Sequence, residues 1–182
     1  MRLAKLLVTS ALSLGLFSAA AYAQDAVPLF GDSTPEIINP ARSVNQLISR
    51  GKYKDALELA DKELATNPQN LNLRFLRGVI FADTNRTEEA KTVFEQLTRE
   101  YPEVAEPYNN LAVIYAGEGN LGYAQKLLER AIQNSAMNAT TYQNLGDIYQ
   151  AKALQMFEKS SRLNPKNATL KKKIKALKEI DE

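Results

Sequence analysis

The chain contains no cysteine, no histidine and no tryptophan among its 182 residues. Without cysteine there are no disulfides, thiolate metal sites or thiol nucleophiles. Without histidine the chain lacks the usual general base at neutral pH and the commonest metal ligand. A glycine-rich phosphate loop, a Gly-x-Ser-x-Gly elbow and metal-ligand spacings are also missing from the sequence. Glu88 with Glu89, and Asp55 with Glu58, place carboxylates near expected helix starts. The helix dipole favours negative charge there, so acid/base chemistry is not needed to explain them. No enzyme, catalytic residue, metal or cofactor is expected. What is present is ordinary for one modest globular domain: 45% hydrophobic and 24% charged residues.

The first residues, MRLAKLLVTSALSLGLFSAAAYAQ, stand apart. Arg2 and Lys5 precede an apolar run from Leu6 to Ala20, and Ala21-Tyr22-Ala23 places small residues where a signal peptidase reads. Residues 1–23 are therefore expected to be a signal peptide cut after Ala23, which implies a periplasmic or secreted protein. The alternative is an uncleaved anchor. Against it, the run falls short of the roughly 20 residues that span a bilayer, and it contains Thr9, Ser10, Ser13 and Ser18. No cysteine follows the cut, which excludes lipid attachment of the bacterial lipoprotein kind. The ending looks bacterial, so the Asn-x-Thr triplets at Asn85, Asn138 and Asn167 carry no glycan signal. Loss of Arg2 and Lys5 lowers the basic residues from 23 to 21, against 21 acidic ones. A neutral mature chain gives no general attraction to nucleic acid, and none is expected as a partner. Residues 24–38, with Pro, Gly and Asp and no period, read as a flexible leader.

Beyond the leader the chain repeats itself. Ala105–Tyr115 reads AEPYNNLAVIY and Ala139–Tyr149 reads ATTYQNLGDIY, 34 residues later. Ala56, Ala90 and Ala124 keep the same interval, as do Gly78, Ala112 and Gly146, and Pro68, Pro102 and Ala136. A fixed period of this length with helical spacing inside it signals stacked helix pairs. Tyr108, Leu111, Ala112 and Tyr115 fill a first helix, and Ala124, Leu128 and Ala131 a second. The pattern resembles the tetratricopeptide repeat family. It departs at Arg74, which stands where an aromatic is usual, and around 40–50, where the first helix matches poorly.

The resemblance implies an all-α fold, a right-handed solenoid of antiparallel helix pairs with a C-terminal capping helix. The array is expected over 39–165, with about four units, the last shortened, and the cap over 166–182. Small residues at Gly78, Ala90, Ala112, Ala124 and Gly146 should let helix axes approach closely. Phe94, Tyr115 and Tyr149 should fill the gaps between units. The tyrosines in general read as packing residues. Gly51, Asn85 and Gly119 should mark the turns within pairs. In the fourth unit Ala153, Phe157, Ser160 and Pro165 keep the spacing of a second helix, but five turn residues are missing before them. One continuous helix from about Asn138 to Leu163 is predicted; the alternative is a cramped turn near Gln150.

The resemblance also implies an inner, concave wall built from first-helix residues not needed for packing. These are Asn72, Phe75, Leu76, Val79 and Asp83, then Glu106, Asn109, Asn110 and Val113, then Thr140, Gln143, Asn144 and Asp147. A peptide-binding groove is expected from Phe75, Val79, Asn109, Asn110, Val113, Gln143, Asn144 and Asp147. Amides both donate and accept, so they suit the backbone of an extended peptide. The basic residues with which some members clamp a C-terminal carboxylate are missing from these positions. The expected function is a non-catalytic scaffold of the bacterial envelope that binds a protein or peptide. The alternative is a surface module using the lysine-rich last helix, with Lys171, Lys172, Lys173, Lys175 and Lys178, on anionic lipid or cell-wall polymer. Capping the array is the simpler role for that helix. Fusing the last pair of helices could also leave an apolar strip for a second copy, a homodimer.

Overall fold

A computed structural model describes residues 39–179. The expected signal segment, the leader and Ile180 lie outside the described residues. Among the described residues there are eight α-helices and no strand. They fall into two compact units, 39–110 and 111–179. The division lies inside the fifth helix, Ala105–Gly117.

The first unit holds α1 (Pro40–Ser49), α2 (Tyr53–Thr66), α3 (Leu71–Asp83), α4 (Thr87–Glu100) and the start of α5 (Ala105–Gly117). Asparagine caps begin α1 and α3. Asn39 Oδ1 accepts from the Ala41 amide at 3.0 Å, and Asn70 Oδ1 accepts from the Leu73 amide at 3.1 Å. Each cap satisfies an amide that the helix itself leaves open. The α1–α2 and α3–α4 turns share one geometry. Gly51 (φ 69°) and Asn85 (φ 59°) adopt the left-handed conformation, where glycine is free and asparagine tolerated. The amide after each returns to the helix it leaves: Lys52 N–H to Leu47 O at 2.9 Å, and Arg86 N–H to Phe81 O at 2.8 Å. That double closure ends one helix and starts an antiparallel partner.

Small residues then set the packing. Ala56, Ala60, Ala90 and Phe94 are fully buried. Gly78 faces Phe94 so closely that a Cβ there would lie 2.7 Å from Phe94 Cε1. Arg74, at the position usual for an aromatic, makes a two-pronged ion pair with Glu100, with Nη2 to Oε1 at 2.9 Å. Its guanidinium lies 6.0 Å from the Tyr101 ring centroid. The hydrogen bond from Arg74 holds the Glu100 carboxyl below its ordinary range and raises Arg74. Tyr108, the aromatic one repeat later, donates its hydroxyl to Thr98 O at 3.1 Å instead.

The second unit holds the rest of α5, then α6 (Leu121–Asn134), α7 (Ala139–Leu163) and α8 (Ala168–Glu179). Its α5–α6 turn repeats the earlier two, with Gly119 at φ 79° and Asn120 N–H to Tyr115 O at 2.8 Å. Tyr115 meets Tyr123 edge-on at 4.6 Å between ring centroids. On α6, Ala124, Leu127, Leu128 and Ala131 are buried. The repeat then changes. α7 is 25 residues long and runs unbroken through Gln150, Ala151 and Lys152, as the missing turn residues predict. Only Thr141 and Ile148 of α7 are buried. α8 lies along the second half of α7. Gln150 Nε2 donates to Leu177 O at 3.2 Å, Lys178 pairs with Glu158 at 2.8 Å, and Lys173 sits 5.3 Å from the Phe157 ring centroid. Lys152 reaches the other way and donates to Gln125 on α6.

The Asn-x-Thr triplets have local structural roles. Asn85 is the left-handed turn residue, while Asn138 and Asn167 cap α7 and α8 through the amides of Thr141 and Leu170. Asn138 and Asn167 open two copies of Asn-Ala-Thr that are 29 residues apart. That interval is the repeat of 34 less the five residues of the missing turn.

Candidate functional site

The residues expected to line a groove divide between the units and differ in exposure. In the first unit, Phe75 and Val79 sit on α3, and Asn109 and Asn110 on the start of α5. All four are buried. The expectation that they stand free on an open wall is corrected for these residues. Phe75 turns its ring toward Phe94, 5.8 Å between centroids. Asn110 spends its amide on its own helix, donating Nδ2–H to Glu106 O at 3.0 Å, the carbonyl one turn earlier. Short polar side chains compete for backbone partners in this way. Asp83 is engaged as well. Burial, with the charge and hydrogen bond of Asp83, pushes the Tyr53 hydroxyl above its usual value.

In the second unit the candidate residues are more open. Val113 on α5 is 51% exposed. Gln143 on α7 is exposed, and Asn144 and Asp147 are half-buried. The three lie at i, i+1 and i+4 and so share one side of α7. Residues 139–151 of that helix include no lysine or arginine. This stretch of α7 therefore carries amides and one carboxylate with no lysine or arginine of its own. Amides can pair with a peptide backbone at either its donors or its acceptors.

Two expectations about packing are also corrected in this unit. Tyr142 and Tyr149 are about half exposed rather than filling gaps in a core. A Cβ at Gly146 would meet nothing within 4 Å, so this glycine brings no helix close. Both corrections have one cause. The second helix that would cover these residues is the continuation of α7 itself. The sequence did signal the exposed set, because Tyr142, Tyr149, Met156 and Leu163 recur every seven residues. Reading each tyrosine by its place in the repeat hid that spacing.

Elsewhere the chemistry is sparse. Among the described residues no cluster of Asp and Glu could hold a metal ion, and no helix is long and apolar enough to cross a membrane. The α8 lysines are exposed, yet Lys173, Lys175 and Lys178 are already used on Phe157, Glu179 and Glu158.

Antiparallel helix pairs joined by left-handed turns at residues 51, 85 and 119 define a helical-repeat protein. Residues 41–149 match the family profile described as Psidin, N-terminal TPR repeats region. The chain belongs to the tetratricopeptide repeat family, with an all-α fold of that type. Among curated protein sequences nothing matches significantly. Several solved structures share the fold. TTC0263, a thermophilic TPR protein of Thermus thermophilus, is 22% identical over 76% of this chain and 79% of its own, with a TM-score of 0.58. The first TPR of Spaghetti (RPAP3), bound to the HSP90 peptide SRMEEVD, is 20% identical over 63% of this chain and 90% of its own, with a TM-score of 0.57. The second TPR domain of human RPAP3, in complex with the HSP70 peptide SGPTIEEVD, is 20% identical over 62% of this chain and 93% of its own, with a TM-score of 0.54.

Proposed function

We propose that this chain is a non-catalytic scaffold of the bacterial envelope that binds an extended protein segment along the amide-bearing side of α7. The observation that carries the reading is the row Gln143, Asn144 and Asp147, which has no cation among residues 139–151. Exposed Val113 adds apolar surface in the same unit. Similar folds that hold acidic peptides ending in EEVD support peptide binding as the activity. The ligand class differs in this reading, because a row with one carboxylate and no lysine or arginine of its own disfavours an acidic tail. A neutral or basic segment, held mainly by its backbone, fits better. The envelope location rests on residues 1–23, read as a cleaved export signal. The N-terminal residue of the protein recovered from periplasm should be Gln24, and an intact Met1 would refute export by cleavage.

The test is a peptide array probed with the intact protein. Each neutral hydrogen bond contributes about 0.5–1.5 kcal/mol net. Gln143→Ala should therefore weaken binding by about 0.5–1.5 kcal/mol, with little change in melting because Gln143 is exposed. Binding that survives this change, but is lost with salt and when Lys171, Lys172 and Lys173 become Gln, would move the function to α8 and an anionic surface.

A further inference from the structure

The exposed strip of α7 has a specific shape. Tyr142, Tyr149, Met156 and Leu163 are 50%, 49%, 59% and 82% exposed. Between them Gly146, Ala153 and Ser160 recur at the same interval of seven residues. Large and small side chains thus alternate along one stripe of about 32 Å, at 1.5 Å per residue. α8 covers the neighbouring side, where Gln150 and Glu158 meet it.

The first unit shows what such a stripe is built to receive. There Gly78 accepts α4, whose Ala90, Phe94 and Leu97 are fully buried. Gly146 stands 68 residues after Gly78, two full repeats, and its place is open. The chain does carry the matching segment. Ala153, Phe157 and Ser160 reproduce the +4 and +7 spacing of Ala90, Phe94 and Leu97. They sit further along the same rigid helix, Phe157 about 16 Å from Gly146 by helical rise. A continuous helix cannot fold back on itself, so this segment cannot fill the place in its own copy. It can fill the same place in another. Loops too short to turn are a known route to exchange of elements between protomers.

We propose that two copies of this chain pair their α7 helices antiparallel about a two-fold axis near Gln150 and Ala151. Each copy lays Ala153 and Phe157 beside Gly146 of the other, and the contact occurs twice by symmetry. The helix pair missing from each copy is then completed between copies, and Tyr142, Tyr149 and Met156 leave water. Asn144 and Asp147 lie off this stripe, whereas Gln143 stands three residues before Gly146 at its edge, so the pairing is tested by mass and not by peptide binding.

Light scattering on the intact protein should read twice the chain mass at high micromolar concentration and fall toward the single mass on dilution. A Cβ at Gly146 meets nothing within 4 Å in one copy, and in the pair Gly146→Leu blocks the partner helix. It should weaken association at least tenfold and keep full helical circular dichroism. Inserting a second copy of residues 117–121 between Gln150 and Ala151 restores the repeat interval and its turn. That variant should be monomeric, with its own Phe157 folded onto Gly146. A single mass for the wild type at every concentration overturns the proposal. So does association unaltered by either variant, and so does loss of helix in Gly146→Leu, which would mean that the place is filled within one copy.

Discussion

Gly78 and Gly146 occupy the same place in the repeat, two periods apart, and their surroundings differ. Around Gly78 the packing is so close that an added Cβ would stand 2.7 Å from Phe94, while around Gly146 an added Cβ would meet nothing within 4 Å. Among the described residues the first unit has no exposed large hydrophobic side chain, and the second has seven, from Val113 to Leu163. Residue identity at these sites is nearly the same. What differs is whether a turn lets the next helix come back. At Asn85 it does, with one residue in the left-handed conformation. At Gln150 five residues are missing and the helix continues. A repeat protein draws its stability from neighbours covering one another. Removing one turn therefore uncovers a face without changing any residue on it.

The largest effect should come from the side chain that closes the first unit. Phe94→Ala should cost about 3–5 kcal/mol, the range for a buried aromatic, because Phe94 is fully buried. Phe157→Ala, at the matching position, should cost less than half as much in dilute protein, since Phe157 is only half-buried. Equal losses in thermal melts would erase the contrast between the units.

Next is the continuity of α7. Lys152→Pro removes a helical hydrogen bond and drives the ring against the carbonyl of Ile148, at a cost of about 3 kcal/mol or more. A denaturant midpoint unchanged by this substitution would mean that a turn already exists there.

The two glycines should then respond with opposite sign. Gly78→Ala should destabilise by about 1–3 kcal/mol through overpacking against Phe94. Gly146→Ala in dilute protein should stabilise by about 0.5–1 kcal/mol, because alanine is the better helix former and the space is empty. Calorimetry showing the same sign at both positions would contradict the difference in covering.

The smallest effect concerns the surface pair of α3 and α4. Arg74 holds Glu100 below its ordinary pKa of 4.5. A carboxyl lowered on folding stabilises above its unfolded value, and that contribution disappears as pH falls through its folded value. Glu100→Gln should lower the melting temperature slightly at neutral pH and not at all once the carboxyl is protonated. A deficit that persists in acid would show that the change acts through packing.

Much of this was legible beforehand. The interval of 34, the turn residues Gly51, Asn85 and Gly119, and the missing turn before Ala153 are all local signals, and each predicts a local structure. The groove was legible only as a set of positions. Whether Phe75 or Asn110 faces water depends on what lies against it, and a repeat pattern assigns the position without the covering. Asn110 also had a nearer partner in the Glu106 carbonyl, at 3.0 Å, which spacing alone cannot rank against a ligand.

The sequence by itself determined the helices, their caps, their period and the one place where the period fails, because backbone geometry responds to residues a few positions apart. Tertiary structure alone decided which of two equivalent glycines is sealed and which is open, and which of the like tyrosines pack and which stand in water. Burial is a property of pairs of surfaces, and the surface that would cover Gly146 lies, within one copy, out of reach along the same straight helix.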